Sequence, residues 1–156
     1  MGLRQDILNE PVSRLEWREL IAMTPTETVR QAIGRMRERK VGCVVVVDAE
    51  GRPLGKFTER LLIKLLLTGA DKLDEPVSNC MAAAWGVIQQ TDSIATAIEV
   101  MQAKSLRFLI VVDEHGKAVG LTGQRGLMEY IVEHFPRQVK VRTMESKLYM
   151  DQREGA

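Results

Sequence analysis

Residues 41–62 read VGCVVVVDAEGRPLGKFTERLL, and residues 106–127 read LRFLIVVDEHGKAVGLTGQRGL. Aligned at an offset of 65 residues without a gap, Asp48 falls on Asp113, Gly51 on Gly116, Gly55 on Gly120 and Arg60 on Arg125. An internal repeat fixes an architecture before any single side chain is interpreted. In the first copy, residues 43–47 (CVVVV) are a β-branched run too short for a stable helix, and they read as a strand buried on both faces. Residues 48–51 form a hairpin turn in which Gly51 supplies a positive φ. Residues 52–57 return as a second strand, with Pro53 at an edge or strand-start position. Thr58 then caps a helix over 59–68 that ends at Gly69. The second copy predicts a strand over 108–112, a turn over 113–116, a strand over 117–122 and a helix over 124–134 stopped by Pro136.

Working outward, residues 10–13 (EPVS) recur as residues 75–78 at the same offset. Each unit therefore opens with a Pro-led extended segment. Residues 14–23 and 79–88 diverge: RLEWRELIAM carries charges where NCMAAAWGVI is small and apolar. The units share a scaffold and present different chemistry there. Val29, Ala32, Ile33 and Met36 then mark one face of a helix, led by hydroxyls at Thr26 and Thr28. Ile94, Ala97, Ile98 and Met101 repeat the pattern. The neighbouring Arg30, Arg35, Arg37 and Arg39 read as a solvated face.

Each unit is thus strand–helix–strand–strand–helix, an α/β (α+β) unit whose small sheet is covered by helices on one side. The other side is apolar, and the twin is what can cover it. The expected division is unit one over 10–68, a short polar linker over 69–74, unit two over 75–135 and an irregular tail over 136–156, disordered from about Asp151.

Composition narrows the function. A net charge of +1 gives no electrostatic footprint for nucleic acid. No apolar run approaches the ~20 residues needed to span a membrane. The first ten residues lack the apolar core of a signal peptide, and Asp6 breaks a myristoylation pattern. A cytoplasmic protein is the expectation. Cys43 and Cys80 form no CxxC and build no zinc site; both read as inert thiols. His115 sits in a turn and His134 at a helix end, and no nucleophile elbow, P-loop or GxGxxG is present. The expectation is a binding or assembly protein, not an enzyme, and it requires no cofactor.

The Val-rich strand, Asp-x-x-Gly turn, second strand and Thr-led helix resemble a cystathionine-β-synthase (CBS) domain, and the tandem resembles a Bateman module over about residues 10–135. The resemblance implies an intertwined pair of units with clefts that take AMP, ADP, ATP or S-adenosylmethionine. It implies a Thr hydroxyl on phosphate, a closing Asp on both ribose hydroxyls, and backbone at the Val-rich strand on adenine. Carried over by position, Thr58 keeps the phosphate hydroxyl and Gly42 heads the first Val-rich strand. The counterpart of Thr58 is Gly123, and the ribose Asp is replaced by Leu61 and Gly126. A hydrogen bond to a carboxylate contributes roughly 1.5–3 kcal/mol, so its loss weakens ribose recognition about ten- to hundred-fold.

Arg60 and Arg125 occupy the first turn of the last helix in each unit, where the helix dipole favours an anion. Arg107, next to the second Val-rich strand, adds a third cation. Lys56 stands where the family has a buried aliphatic residue, either snorkelling at a sheet edge or pointing into the first cleft.

Two readings follow. The first is a stand-alone regulatory or sensor module that binds a small anionic ligand near Thr58, Arg60, Arg107 and Arg125 and passes an inter-unit rearrangement to an unknown protein partner. The second is a degenerate CBS pair acting as a scaffold, with Leu61, Leu65, Leu66, Ile131 and Phe135 as contact area. The resemblance implies a homodimer under either.

Overall fold

The structure, a computed structural model, describes residues 2–83 and 86–134. Phe135, Pro136 and the expected tail lie outside them. The order is α1 (Leu3–Asn9), β1 (Ala22–Met23), α2 (Val29–Arg39), β2 (Cys43–Val47), β3 (Pro53–Thr58) and α3 (Glu59–Thr68). Then follow β4 (Ala82–Ala83), β5 (Val87–Gln89), α4 (Ile94–Ala103), β6 (Phe108–Val112), β7 (Ala118–Gly123) and α5 (Gln124–His134). Strands β1-β2-β3-β4 form one sheet and β5-β6-β7 the other. The predicted second strand of each unit starts and ends one residue later than expected. Pro53 opens β3, where its missing N–H costs least. The residues over 69–74 close into a 3-10 turn, Ala70–Asp74, instead of a plain loop. Helix α1 had no sequence expectation; it packs on α4.

Local chemistry explains the helix ends. Thr28 caps α2 through a reciprocal box with Gln31. Ser93 caps α4 by accepting from Thr96 N, and Gly69 ends α3 with φ 141°. At the hairpins, Asp48 Oδ1 accepts from Glu50 N (3.0 Å) and Arg52 N (2.8 Å). Asp113 Oδ1 does the same for His115 N (2.9 Å) and Lys117 N (3.0 Å). Both aspartates serve their own turns. The α2 arginines are largely tied down at the surface, Arg30 to Asp74 (2.8 Å), Arg39 to Glu19 (3.0 Å) and Arg35 to Glu27.

The Val-rich strands are buried on both faces, as their composition predicts. Val44 and Val46 face the unit's own helices with Val29, Ala32, Met36 and Phe57. Leu109 and Val111 do likewise with Ala97 and Met101. The alternate residues, Cys43 and Val45 against Ile110 and Val112, form the core between the two units. The twin therefore covers the second face of each sheet. Met36 and Met101 are core residues at 6% and 7% exposure.

The opening segments cross over. Val12 N donates to Asp92 O (2.8 Å) and Val77 N to Glu27 O (2.7 Å). Ile94 N donates to Glu10 O (2.9 Å) and Val29 N to Glu75 O (3.0 Å). These bonds are related by the same 65-residue offset as the repeat. Further on, β4 pairs with β3 of unit one, while Arg18 bridges Leu121 of β7 in unit two. Each unit is closed by the opening residues of the other, so the pair is interlocked rather than merely adjacent. No helix among the described residues is long and apolar enough to cross a membrane.

Candidate functional site

Because the units share a pseudo-twofold axis, the beginnings of α3 and α5 open onto a common cleft of about 850 Å³ between them. The first helical amide on each side is fixed by the residue heading the Val-rich strand. Glu59 N donates to Gly42 O (3.1 Å), and Gln124 N donates to Arg107 O (3.2 Å). Gly42, Thr58, Arg60, Arg107, Arg125 and Gly126 all line this cleft. Six of the seven residues singled out from the sequence are thus neighbours.

Leu61 is the exception. It packs against the unit-one core of Val44, Val46 and Phe57 and does not line the cleft. In unit one the position of the family's ribose Asp is turned away from the cleft: α3 rotates Leu61 inward with Leu62 and Leu65, as its periodicity requires. Gly126 is not open space either. A β-carbon there would stand 2.7 Å from Glu16 O and 3.0 Å from Thr122 Oγ1, so the crossing segment has moved into that volume. At Gly123 a β-carbon would collide with the Arg107 carbonyl oxygen.

Thr58 Oγ1 accepts the cap bond from Leu61 N (3.3 Å), a bond that does not use the hydroxyl's own proton. Arg60 has no ion-pair partner among the described residues, and neither has Arg107. Arg125 is engaged: its Nε lies 3.0 Å from Glu129 Oε1 on the next turn of α5. The Arg125 guanidinium is the main reason the Glu129 carboxyl is held low, with a hydrogen bond from Glu16 second. The Glu16 carboxyl is pushed up in turn by its contact with Glu129. Glu16 and Glu129 thus act on each other at the α5 side of the cleft.

The sequence did not single out Glu16, Trp17, Arg18, Glu19, Lys40, Glu59 or Glu129, all of which line the cleft. Five cations (Arg18, Lys40, Arg60, Arg107, Arg125) face four carboxylates (Glu16, Glu19, Glu59, Glu129) there. The divergence of residues 14–23 between the two copies was the available signal for the first four. The i,i+4 spacing of Arg125 and Glu129 was the signal for the last.

Lys56 is half-buried and does not line the cleft. Its ammonium sits over the Phe108 ring, 4.6 Å from the centroid, and burial lowers its pKa. Phe108 belongs to the twin unit, so this contact joins the two. Cys43 is buried and its thiol is pushed up by that burial, as an inert thiol should be. His134 Nδ1 lies 3.0 Å from Tyr130 O at the end of α5, where its ring also stacks on Tyr130. Among the described residues no cluster of three or more His, Cys, Asp or Glu side chains is placed to hold a metal ion.

Comparison with known families agrees with this paired architecture. The model of the CBS domain matches twice, over residues 12–68 and 77–133. The chain belongs to the CBS domain family. An uncharacterised protein of Methanopyrus kandleri is 28% identical over 133 residues, spanning 83% of this chain and 68% of its own. Among solved structures, the CBS-domain-containing protein of Agrobacterium tumefaciens is similar at 29% identity and a TM-score of 0.60, over 72% of this chain and 88% of its own. The CBS domain protein of Pyrobaculum aerophilum, solved in complex with AMP, superimposes with a TM-score of 0.68 at 23% identity, over 85% of this chain and 97% of its own. Both of the expected CBS units are therefore present, paired as a Bateman module with the predicted fold class.

Proposed function

We propose that this CBS pair is a regulatory module that binds a small anionic ligand, an adenine nucleotide, in the cleft between its units. The observation that carries this reading is the convergence of two helix starts with Thr58, Arg60, Arg107 and Arg125 on that one cleft. The helix dipole favours an anion at both ends, and a charge-assisted bond from arginine adds orientation. The volume of the cleft is ample for a nucleotide. The AMP complex of the Pyrobaculum aerophilum protein supports the choice of ligand class. Regulation then requires that the ligand bind one inter-unit packing better than another, since equal affinity for both shifts nothing. The crossed segments supply the coupling, because anything that moves residues 16–19 also moves the strand pairing of the other unit. In this reading the protein acts by binding rather than by catalysis, in the cytoplasm, as a homodimer that signals to a protein partner. Calorimetric titration of nucleotide-stripped protein with AMP, ADP, ATP and S-adenosylmethionine tests it. Micromolar binding of one of them is expected, and silence up to millimolar ligand rejects it.

A second reading is favoured by a different observation: neither unit offers a carboxylate at the ribose position, and both last helices carry exposed apolar side chains. Ile63, Leu66 and Leu67 on α3 and Met128 and Val132 on α5 are 51–83% exposed. Leu61 and Leu65 pack inward and Ile131 packs beside Tyr130, so the contact area first expected of them falls to these five. Here the module is an assembly scaffold that pairs through α3 and α5. Nucleotide titration separates the two readings, whereas oligomeric state does not.

A further inference from the structure

Unit two carries a second cavity, of about 440 Å³, between the C-terminal half of α4, the residues that lead into β6 and the first turn of α5. Its floor is apolar. Ile98, Met101, Leu106 and Leu127 line it, at the place where two hydrophobic clusters meet on Ile98. The rest of the lining is exposed and polar: Gln102, Ser105, Arg107 and Gln124. No carboxylate is among the lining residues, and Arg107 has no ion-pair partner among the described residues.

The repeat supplies an internal comparison. At the offset of 65 residues the backbone is built alike. Leu106 N donates to Met101 O (2.9 Å) as Val41 N does to Met36 O (3.0 Å), and Ser105 and Lys40 both take a left-handed φ, 51° and 53°. The apolar floor is kept as well, in Ile33, Met36, Val41 and Leu62. What differs is charge. Gln102 and Ser105 stand in unit two for Arg37 and Lys40, and Arg107 and Gln124 for Gly42 and Glu59. In unit one the Glu59 carboxylate lies over Gly42, with Oε2 3.5 Å from where a β-carbon of that glycine would be. In unit two the same place holds a guanidinium and a neutral amide, and that guanidinium is the only charge of the lining.

An apolar floor beside one unpaired guanidinium selects an occupant of matching form. An apolar body takes the floor out of water, and a planar carboxylate fits the fork of an arginine. A cavity of this size falls within the range of small-molecule sites. We propose that it binds a small monocarboxylate with an apolar body, of the class of medium-chain fatty acids, with the carboxylate on Arg107 and the chain on Met101, Leu106 and Leu127. Arg107 and Gln124 also line the cleft between the units, so an occupant here touches the wall of that cleft. The site itself does not depend on what the cleft binds.

Titration of the ligand-free full chain with sodium octanoate, followed by amide NMR shifts, tests the proposal, with octan-1-ol as the uncharged control. Saturable shifts confined to residues 98–107 and 124–127 are expected, and octanol should bind more weakly by about tenfold, the size of one charge-assisted hydrogen bond. Arg107→Gln should bring octanoate to the octanol level. Gln124→Glu, which writes in the charge of unit one, should weaken octanoate and leave octanol unchanged. Both positions are exposed, and thermal melting checks that each variant folds. Equal affinities for octanoate and octanol, or octanoate binding indifferent to both substitutions, would overturn the proposal. So would shifts centred on residues 63–67 and 128–132, or no saturable shift at millimolar octanoate.

Discussion

Single side chains do two separable jobs in this protein. Tyr130 anchors: its ring is 3% exposed and its hydroxyl donates to Glu10 Oε2 at 2.6 Å across 120 residues of sequence. Burial, followed by that carboxylate, pushes its pKa up to about 12. Tyr130→Phe should cost about 1.5–3 kcal/mol in urea unfolding, the range for a hydrogen bond to a charged group. The same loss in Glu10→Gln would show that the charge matters, and an unchanged midpoint in both would contradict the anchor. Asp113 and Asp74 set the acid response. The backbone amide of Lys117 holds the Asp113 carboxyl below its usual range, and the Arg30 guanidinium does the same for Asp74. Both pKa values are depressed on folding, so their stabilisation is complete above the unfolded value of about 3.9 and is lost as pH falls through the folded values. Stability should therefore decline below about pH 4, and Asp113→Asn should flatten that decline. An acid limb identical to the wild type's would contradict this.

At the scale of elements, what the sequence could reveal depended on how local the cause was. The Val-rich strands, the Asp-x-x-Gly turns and the Thr58-capped helix are specified by periodicity and turn chemistry within a few residues, and they were legible. Helix α1 was not, because residues 3–9 bury nothing completely and are held by tertiary contact with α4. The inward turn of Leu61 was implicit in the spacing of Leu61, Leu62 and Leu65, but a family motif drew attention to the same position for another reason. The crossing of residues 16–18 onto β7 was invisible, since strand exchange between repeats leaves no local pattern. The close approaches it creates are testable. Gly126→Ala sets a methyl 2.7 Å from Glu16 O and should cost about 1–3 kcal/mol, read as a lowered melting temperature. Gly42→Ala, where the nearest atom is a flexible carboxylate oxygen at 3.5 Å, should cost well under that. Equal losses would mean that the segment does not hold its place.

For the whole molecule, interlocking means that the units share one core and should unfold in a single transition. The hydrogen bonds that cross between them obey the repeat's own symmetry, which makes the pair, not the unit, the folding body. That body leaves apolar side chains of α3 and α5 uncovered, with Leu67 83% exposed. If α3 and α5 carry the proposed homodimer, the wild type should sediment at twice the chain mass. The double variant Leu67→Glu/Val132→Glu should then sediment as a folded monomer. A wild-type monomer at micromolar concentration would remove the dimer from the account.

The claim on which the account turns is that the cleft between the units holds an adenine nucleotide. A crystal structure of the protein grown with AMP examines it most directly. The account predicts AMP in the cleft between α3 and α5, with its phosphate within hydrogen-bond distance of Thr58 Oγ1 or of the Arg60, Arg107 or Arg125 guanidinium. A cleft without AMP at millimolar ligand, or AMP bound elsewhere on the chain, would contradict it.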